Sequence, residues 1–167
     1  MDFIQHTIEW CRGEIFEGRL ILLFGIVTII IAFLFWKAGT TPGARAMLWP
    51  LLIVGLLYSM TGAGMMYNNN QRIINYTKAY ENNPVQFLES EKERTDTFIS
   101  WYPKTRYIFA GIAILGILFN IFWAAPLGRA IGLCLILMTL ATYVVDHFSE
   151  ERADKYHIEI MKELQNQ

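Results

Sequence analysis

The sequence predicts an all-α integral membrane protein with four transmembrane helices arranged as two hairpins. Hydrophobic residues make up 54% of the 167 residues and charged residues only 17%, which is apolar for a water-soluble domain. Four apolar runs lack the polar positions, three or four residues apart, that mark a soluble amphipathic helix. Because about 20 apolar residues cross a bilayer, each run is predicted to span the membrane. The predicted spans are about 20–36, 46–66, 107–125 and 128–145.

The segments outside these spans are also predicted to be helical. Residues 2–18 place isoleucines near one face, which predicts a short amphipathic helix that lies in the membrane interface or packs against other polar segments. A second amphipathic helix is predicted from Pro84, with Glu91 and Arg94 among the charged residues on its polar side. The fourth span continues into a helical tail over 146–167. We expect these pieces and the extension of the second span to assemble beside the membrane, within one domain.

A repeated residue pattern predicts that the two hairpins are a tandem duplication. An arginine, a Phe-Trp pair, a proline and an Arg-Ala pair occur in the same order in each half, at similar spacing. Residues 1–83 would form the first unit and residues 84–167 the second, with Asn82-Asn83-Pro84 as the seam. Units of two spans each have the same orientation in the membrane. The frame consists of Arg19, Trp36, Pro42 and Arg45, repeated as Arg106, Trp123, Pro126 and Arg129.

The distribution of positive charge predicts the orientation. With four spans, both termini and the polar middle, residues 67–105, lie on one side, which holds 11 of the 14 Lys and Arg residues. Because positively charged loops stay preferentially in the cytoplasm, both termini and residues 67–105 are predicted to be cytoplasmic. All 15 acidic residues lie on the same side, but the rule counts Lys and Arg rather than net charge.

A cluster of ligand-type side chains after the fourth span is the best candidate for chemistry. Helical spacing places four of them on one face and the fifth at its edge. Carboxylates and imidazoles bind Zn, Mn or Fe in helical proteins, so a divalent metal is one hypothesis. A solvated charged face is favoured, with no cofactor, because the Glu-x-x-His order of di-iron sites is reversed. The cluster comprises His147, Glu150, Glu151, Asp154 and His157.

Small residues at the end of the second span predict close helix packing. Ser59, Gly62 and Gly64 would let a neighbouring helix approach, although the same residues could instead line a cavity or pore. Ionisable residues occur only at the ends of the spans, whereas ion-coupled transporters usually need one within the membrane.

The leading functional hypothesis is a non-enzymatic membrane protein that acts by protein–protein interaction. Such a protein could be an accessory subunit, a scaffold or an immunity-type protective partner. The expected partners are the lipid bilayer and either a second copy or another membrane protein. No phosphate loop or basic nucleic-acid-binding face occurs in the sequence. The alternatives are a metal-dependent enzyme acting on a lipid or quinone at the cytoplasmic interface, and a small oligomeric channel or transporter.

Overall fold

The structure is a computed structural model that describes residues 3–166, so predictions about residues 1, 2 and 167 lie outside it. Within those residues every regular element is an α-helix, which confirms the predicted all-α class. The helices are α1 (Phe3–Ala38), α2 (Pro42–Ala46), α3 (Leu48–Asn82), α4 (Pro84–Ile99), α5 (Tyr102–Phe122) and α6 (Pro126–Gln165).

Four helical stretches are long and apolar enough to cross a membrane. Two of them join consecutive helices: α2 runs into α3 through a turn at Met47, and α4 meets α5 at Ser100-Trp101. The predicted number of candidate spans is therefore confirmed, and the structure is compatible with a membrane location. The stretches are Phe3–Ala38, Pro42–Asn82, Pro84–Phe122 and Pro126–Gln165.

Helix α1 corrects the prediction of a separate amphipathic helix before the first span. The chain from Phe3 to Ala38 is one helix of 36 residues, and its first half packs on other helices, which is one of the two placements expected for it. Trp10 and Cys11 in this half are buried. No proline interrupts the stretch around Gly18 and Arg19, so the backbone hydrogen bonds continue from one half into the other.

Capping residues followed by proline set the starts of α2 and α4. The side chains of Thr41 and Asn83 accept hydrogen bonds from the backbone N–H groups of Ala44 and Gln86, each at 3.2 Å. The proline that follows each cap lies in the first helical turn, where its missing N–H costs no helical hydrogen bond. The predicted break between α3 and α4 is therefore confirmed.

Glycines allow α1 and α3 to pack with their backbones in contact. A Cβ atom added to Gly25 would lie 2.5 Å from the backbone nitrogen of Ser59, and one added to Gly62 would lie 2.5 Å from the carbonyl oxygen of Gly18. Ser59 and Gly62 thus contribute to a helix contact. A Cβ at Gly64 meets nothing within 4 Å, so this glycine makes no such contact with any part of residues 3–166.

Helices α5 and α6 pack together in a similar way. A Cβ added to Gly116 would lie 2.8 Å from the carbonyl oxygen of Gly132. Helix α6 also contacts α1, α3 and α4, whereas the contacts of α5 are mainly with α6. Helix α5 therefore lies at the edge of the helix assembly.

Beyond the apolar spans, four segments form a small bundle that we call the head. It consists of the first half of α1, the last part of α3, the whole of α4 and the last part of α6, and their packing agrees with the expected assembly. Ile73, Tyr76 and Phe98 pack around its core. The core residues are Phe3, Trp10, Cys11, Phe87, Leu88, Tyr156 and Ile160.

Candidate functional site

An ion pair between a buried carboxylate and a partly buried guanidinium lies in the head. Arg94 donates two hydrogen bonds to the Glu91 carboxylate, at 2.9 and 2.7 Å, and Glu91 is only 3% exposed. The guanidinium carbon of Arg94 also lies 4.6 Å from the ring centroid of Trp10, within cation–π range. Both charged residues are predicted on the polar side of their helix; the burial of Glu91 corrects that expectation, whereas the Arg94 side chain keeps 27% of its surface exposed.

Tyr156 extends this network from α4 to α6 and α1. Its hydroxyl donates to Glu91 Oε2 at 3.0 Å, and because its proton is used there, the Thr7 hydroxyl 3.0 Å away is the donor to Tyr156. Burial raises the pKa of Tyr156 above its ordinary value, as does the charge of Glu91. Burial lowers the pKa of Arg94, but the hydrogen bond and charge of Glu91 outweigh this and raise it. The network therefore holds a neutral phenol against a charged pair.

His157 makes a second link between α4 and α6. Its Nδ1 lies 2.9 Å from the hydroxyl of Thr95, and its Nε2 lies 3.4 Å from Asp96 Oδ1. The Thr95 hydroxyl donates to the carbonyl of Glu91 at 2.8 Å, so His157 Nδ1–H is the donor to Thr95. These contacts place both ring nitrogens of His157 beside α4.

The structure does not bring the predicted metal ligands together. Glu150 forms an ion pair with Arg106, Glu151 pairs with Lys155 at 2.7 Å, and His157 faces α4. Within residues 3–166, no three His, Cys, Asp or Glu side chains lie close enough together to hold a metal ion. The ring of His147 lies 5.6 Å from that of Phe148, and Asp154 is exposed. The metal site therefore remains a sequence-based prediction.

The residues of the repeated frame do not form one site. Arg45 donates to the carbonyl of Gly39 at 3.2 Å, whereas Arg106 pairs with Glu150. These contacts differ between the two halves, and the frame residues lie at or near the ends of the apolar stretches. The remaining members are exposed at their positions: Arg19, Trp36, Pro42, Trp123, Pro126 and Arg129.

An apolar chamber of about 550 Å³ lies between α1 and α6, where the head meets the spans. Its apolar wall includes Leu20, Phe24 and Val144, and Glu17 and Arg152 form its end nearest the head.

No family model, curated protein or solved structure matches the chain. The chamber and the packing of the helices are thus the grounds for inferring function.

Sequence reasoning missed the chamber because its two walls are more than a hundred residues apart in the chain. The one sequence feature that could have indicated its polar end is Glu17, the last acidic residue before the first apolar run. Arg152 forms ion pairs with Glu17 and with Glu14, the latter at 3.0 Å. One guanidinium thus faces two carboxylates at the polar end of the chamber.

Proposed function

We propose that this is a non-enzymatic multi-pass membrane protein that acts by protein–protein interaction, and that α5 is the helix through which one chain binds another. The observation that carries the proposal is the exposure of α5. The most apolar 18-residue segments of the candidate spans differ in burial. The buried share of the residues in that segment is 6% in Pro84–Phe122, 22% in Phe3–Ala38 and 28% in each of the other two spans. Helix α5 thus offers most of its surface to a second chain.

Gly111 makes a second chain of the same kind the best-fitting partner for α5. A Cβ added to Gly111, midway along the helix, meets nothing within 4 Å. Gly64 is open too, but it lies at the head end of its span. Glycines permit close helix contact in membranes, and a two-fold symmetric pair of α5 helices would place Gly111 opposite its copy. Another helix approaches closely at five further glycines of the candidate spans: Gly25, Gly55, Gly62, Gly116 and Gly132.

The exposed side chains on the same side of α5 as Gly111 are compatible with self-association. Tyr107, Ile114 and Leu118 follow the helical spacing of Gly111 and are 81%, 57% and 41% exposed. None of these side chains carries a charge, so pairing two copies brings no like charges together. Without a hydrophobic driving force between helices in lipid, close packing around a small residue is what stabilises such a pair.

Photo-cross-linking compares the α5 face with a matched lipid-facing position. A photoreactive amino acid is placed at Ile114 or at Ile30, which are 57% and 53% exposed. Each lies eight residues before the end of its helix. Irradiation of membranes should give a cross-linked dimer from position 114 and none, or much less, from position 30. Equal yields from the two positions, or no product from position 114, would contradict the proposal.

We also propose that the two hairpins are α1 with α3 and α5 with α6, that they are units of a tandem duplication, and that the head is cytoplasmic. The glycine contacts within each pair and the break at Asn83-Pro84 support the first two. The 11 Lys and Arg residues on the head side support the third.

Reporter fusions test orientation and duplication together. Two units with the same orientation place a reporter fused after residue 83 and one fused after residue 167 in the same compartment. Both fusions should be active with a reporter that works only in the cytoplasm, whereas a fusion after Gly43, between the first two spans, should be inactive. Opposite results for the fusions after residues 83 and 167 would rule out units of equal orientation.

A further inference from the structure

We propose that the chamber between α1 and α6 binds a bilayer phospholipid whose head group carries a primary amine, of the phosphatidylethanolamine class. Its volume of about 550 Å³ lies within the range of ligand pockets. Phe16 and Phe148 in its wall are 61% and 54% exposed, so the chamber opens sideways toward the surrounding lipid. A lipid can therefore enter without leaving the membrane.

The chamber has a polar end on the head side and an apolar end toward the middle of the membrane, which is the order of polar and apolar parts in a bilayer lipid. Glu17 and Arg152 lie at the end where the head begins, and the wall toward the middle of the membrane is apolar as far as Phe24 on α1. The rise of seven helical steps between Glu17 and Phe24 gives the chamber a length of about 10 Å along the helix. The hydroxyl of Tyr58, also in the wall, is already used, because it donates to the carbonyl of Met138 at 2.8 Å.

One hydrogen-bonding atom of each kind is left unpaired at the polar end. Glu17 is 5% exposed and pairs with Arg152 through Oε2. Among the described residues, its Oε1 accepts no hydrogen bond and Arg152 Nε has no acceptor. Unsatisfied buried polar atoms of this kind call for a partner. An ammonium group would donate to Glu17, and the adjacent phosphate would accept from Arg152.

The local charge favours a cation as the group that meets Glu17. Arg152 is the one guanidinium shared by Glu14 and Glu17, which leaves one negative charge in excess among the three side chains. A primary ammonium has three N–H donors, whereas the quaternary ammonium of phosphatidylcholine has none. Charge-assisted hydrogen bonds are among the stronger ones, so the two head groups should be distinguished. The inference does not depend on α5, which takes no part in the wall.

Native mass spectrometry of the full-length protein in detergent tests this lipid preference. The protein is titrated with phosphatidylethanolamine and phosphatidylcholine of identical acyl chains. We expect about tenfold tighter binding of phosphatidylethanolamine, falling to about twofold or less in Glu17→Gln. Equal binding of the two lipids by the natural chain, or an unchanged preference in a folded Glu17→Gln variant, would overturn the head-group assignment.

A second pair of variants tests the chamber itself and leaves Glu17 unchanged. Val144→Trp places a large side chain in the wall of the chamber. Leu140→Trp makes a comparable change one turn away, at a residue that is 61% exposed and outside the wall. Binding of phosphatidylethanolamine should be lost in Val144→Trp and kept in Leu140→Trp. Retention of binding in Val144→Trp, or its equal loss in both variants, would overturn the site. The α5 cross-link serves as an independent readout of the proposed function.

Discussion

Gly62→Ala is expected to destabilise the packing of α1 against α3 by about 2–3 kcal/mol, the upper part of the range for overpacking. A Cβ at this position would lie 2.5 Å from the carbonyl oxygen of Gly18 and 2.5 Å from the backbone nitrogen of Leu22. Both atoms belong to the backbone of α1, so no side-chain rotation can relieve the clash and the two helices must separate. Thermal unfolding in mild detergent measures the change.

Gly64→Ala is the matched control, two residues along the same helix. A Cβ there meets nothing within 4 Å, and alanine forms helix more readily than glycine by about 1 kcal/mol. Stability should therefore be unchanged or slightly raised. If both alanine variants lowered the unfolding temperature equally, the close contact of α1 with α3 around Gly62 would be wrong.

Arg94→Met is expected to destabilise the head by about 3–5 kcal/mol, because it removes one partner of a buried ion pair. Methionine keeps much of the aliphatic stem. Among residues 3–166 it leaves the Glu91 carboxylate, 3% exposed, with only the Tyr156 hydroxyl as a side-chain donor. The free energy of unfolding of the head can be followed by near-ultraviolet circular dichroism in denaturant, since aromatic residues surround the pair.

Two further variants separate the buried charge from other effects. Lys92→Met breaks a neighbouring ion pair, with Asp96 at 3.1 Å, whose side chains are 41% and 49% exposed, so it should cost about 0–1 kcal/mol. Adding Glu91→Gln to Arg94→Met removes the unpaired charge and should recover part of the lost stability. If the double variant were less stable than Arg94→Met by the full cost of a second independent change, no such coupling would exist.

The sequence was sufficient for those features that the membrane and the local backbone impose. A bilayer requires long apolar helices, so four candidate spans could be predicted from composition. Asn83 followed by Pro84 carries its own stop and start signal, and the break occurs there. The continuity of α1 was missed because an amphipathic stretch followed by an apolar one has the same pattern whether the helix bends at Gly18 or runs straight.

The interior of the head could not be predicted for a different physical reason. Glu91 and Arg94 are three residues apart on a helix, a spacing that is equally typical of an exposed pair. Tyr156 and Trp10, which come from distant segments, contact Glu91 and Arg94 respectively, and Glu91 is buried. The predicted metal ligands differ in the opposite way, because helical spacing places them on a common face in the sequence. These residues are His147, Glu150, Glu151, Asp154 and His157. The structure instead gives Glu150, Glu151 and His157 separate partners, and these depend on the neighbouring helices.

The mass of the protein in a bilayer nanodisc tests most directly whether one chain binds another through α5. Native mass spectrometry should give twice the mass of one 19.3 kDa chain for the natural sequence. Ile114→Trp, on the exposed α5 face, should shift the population toward the single-chain mass, and Ile30→Trp should leave it unchanged. A single-chain mass for the natural protein, or a dimer that Ile114→Trp does not weaken, would contradict self-association through α5.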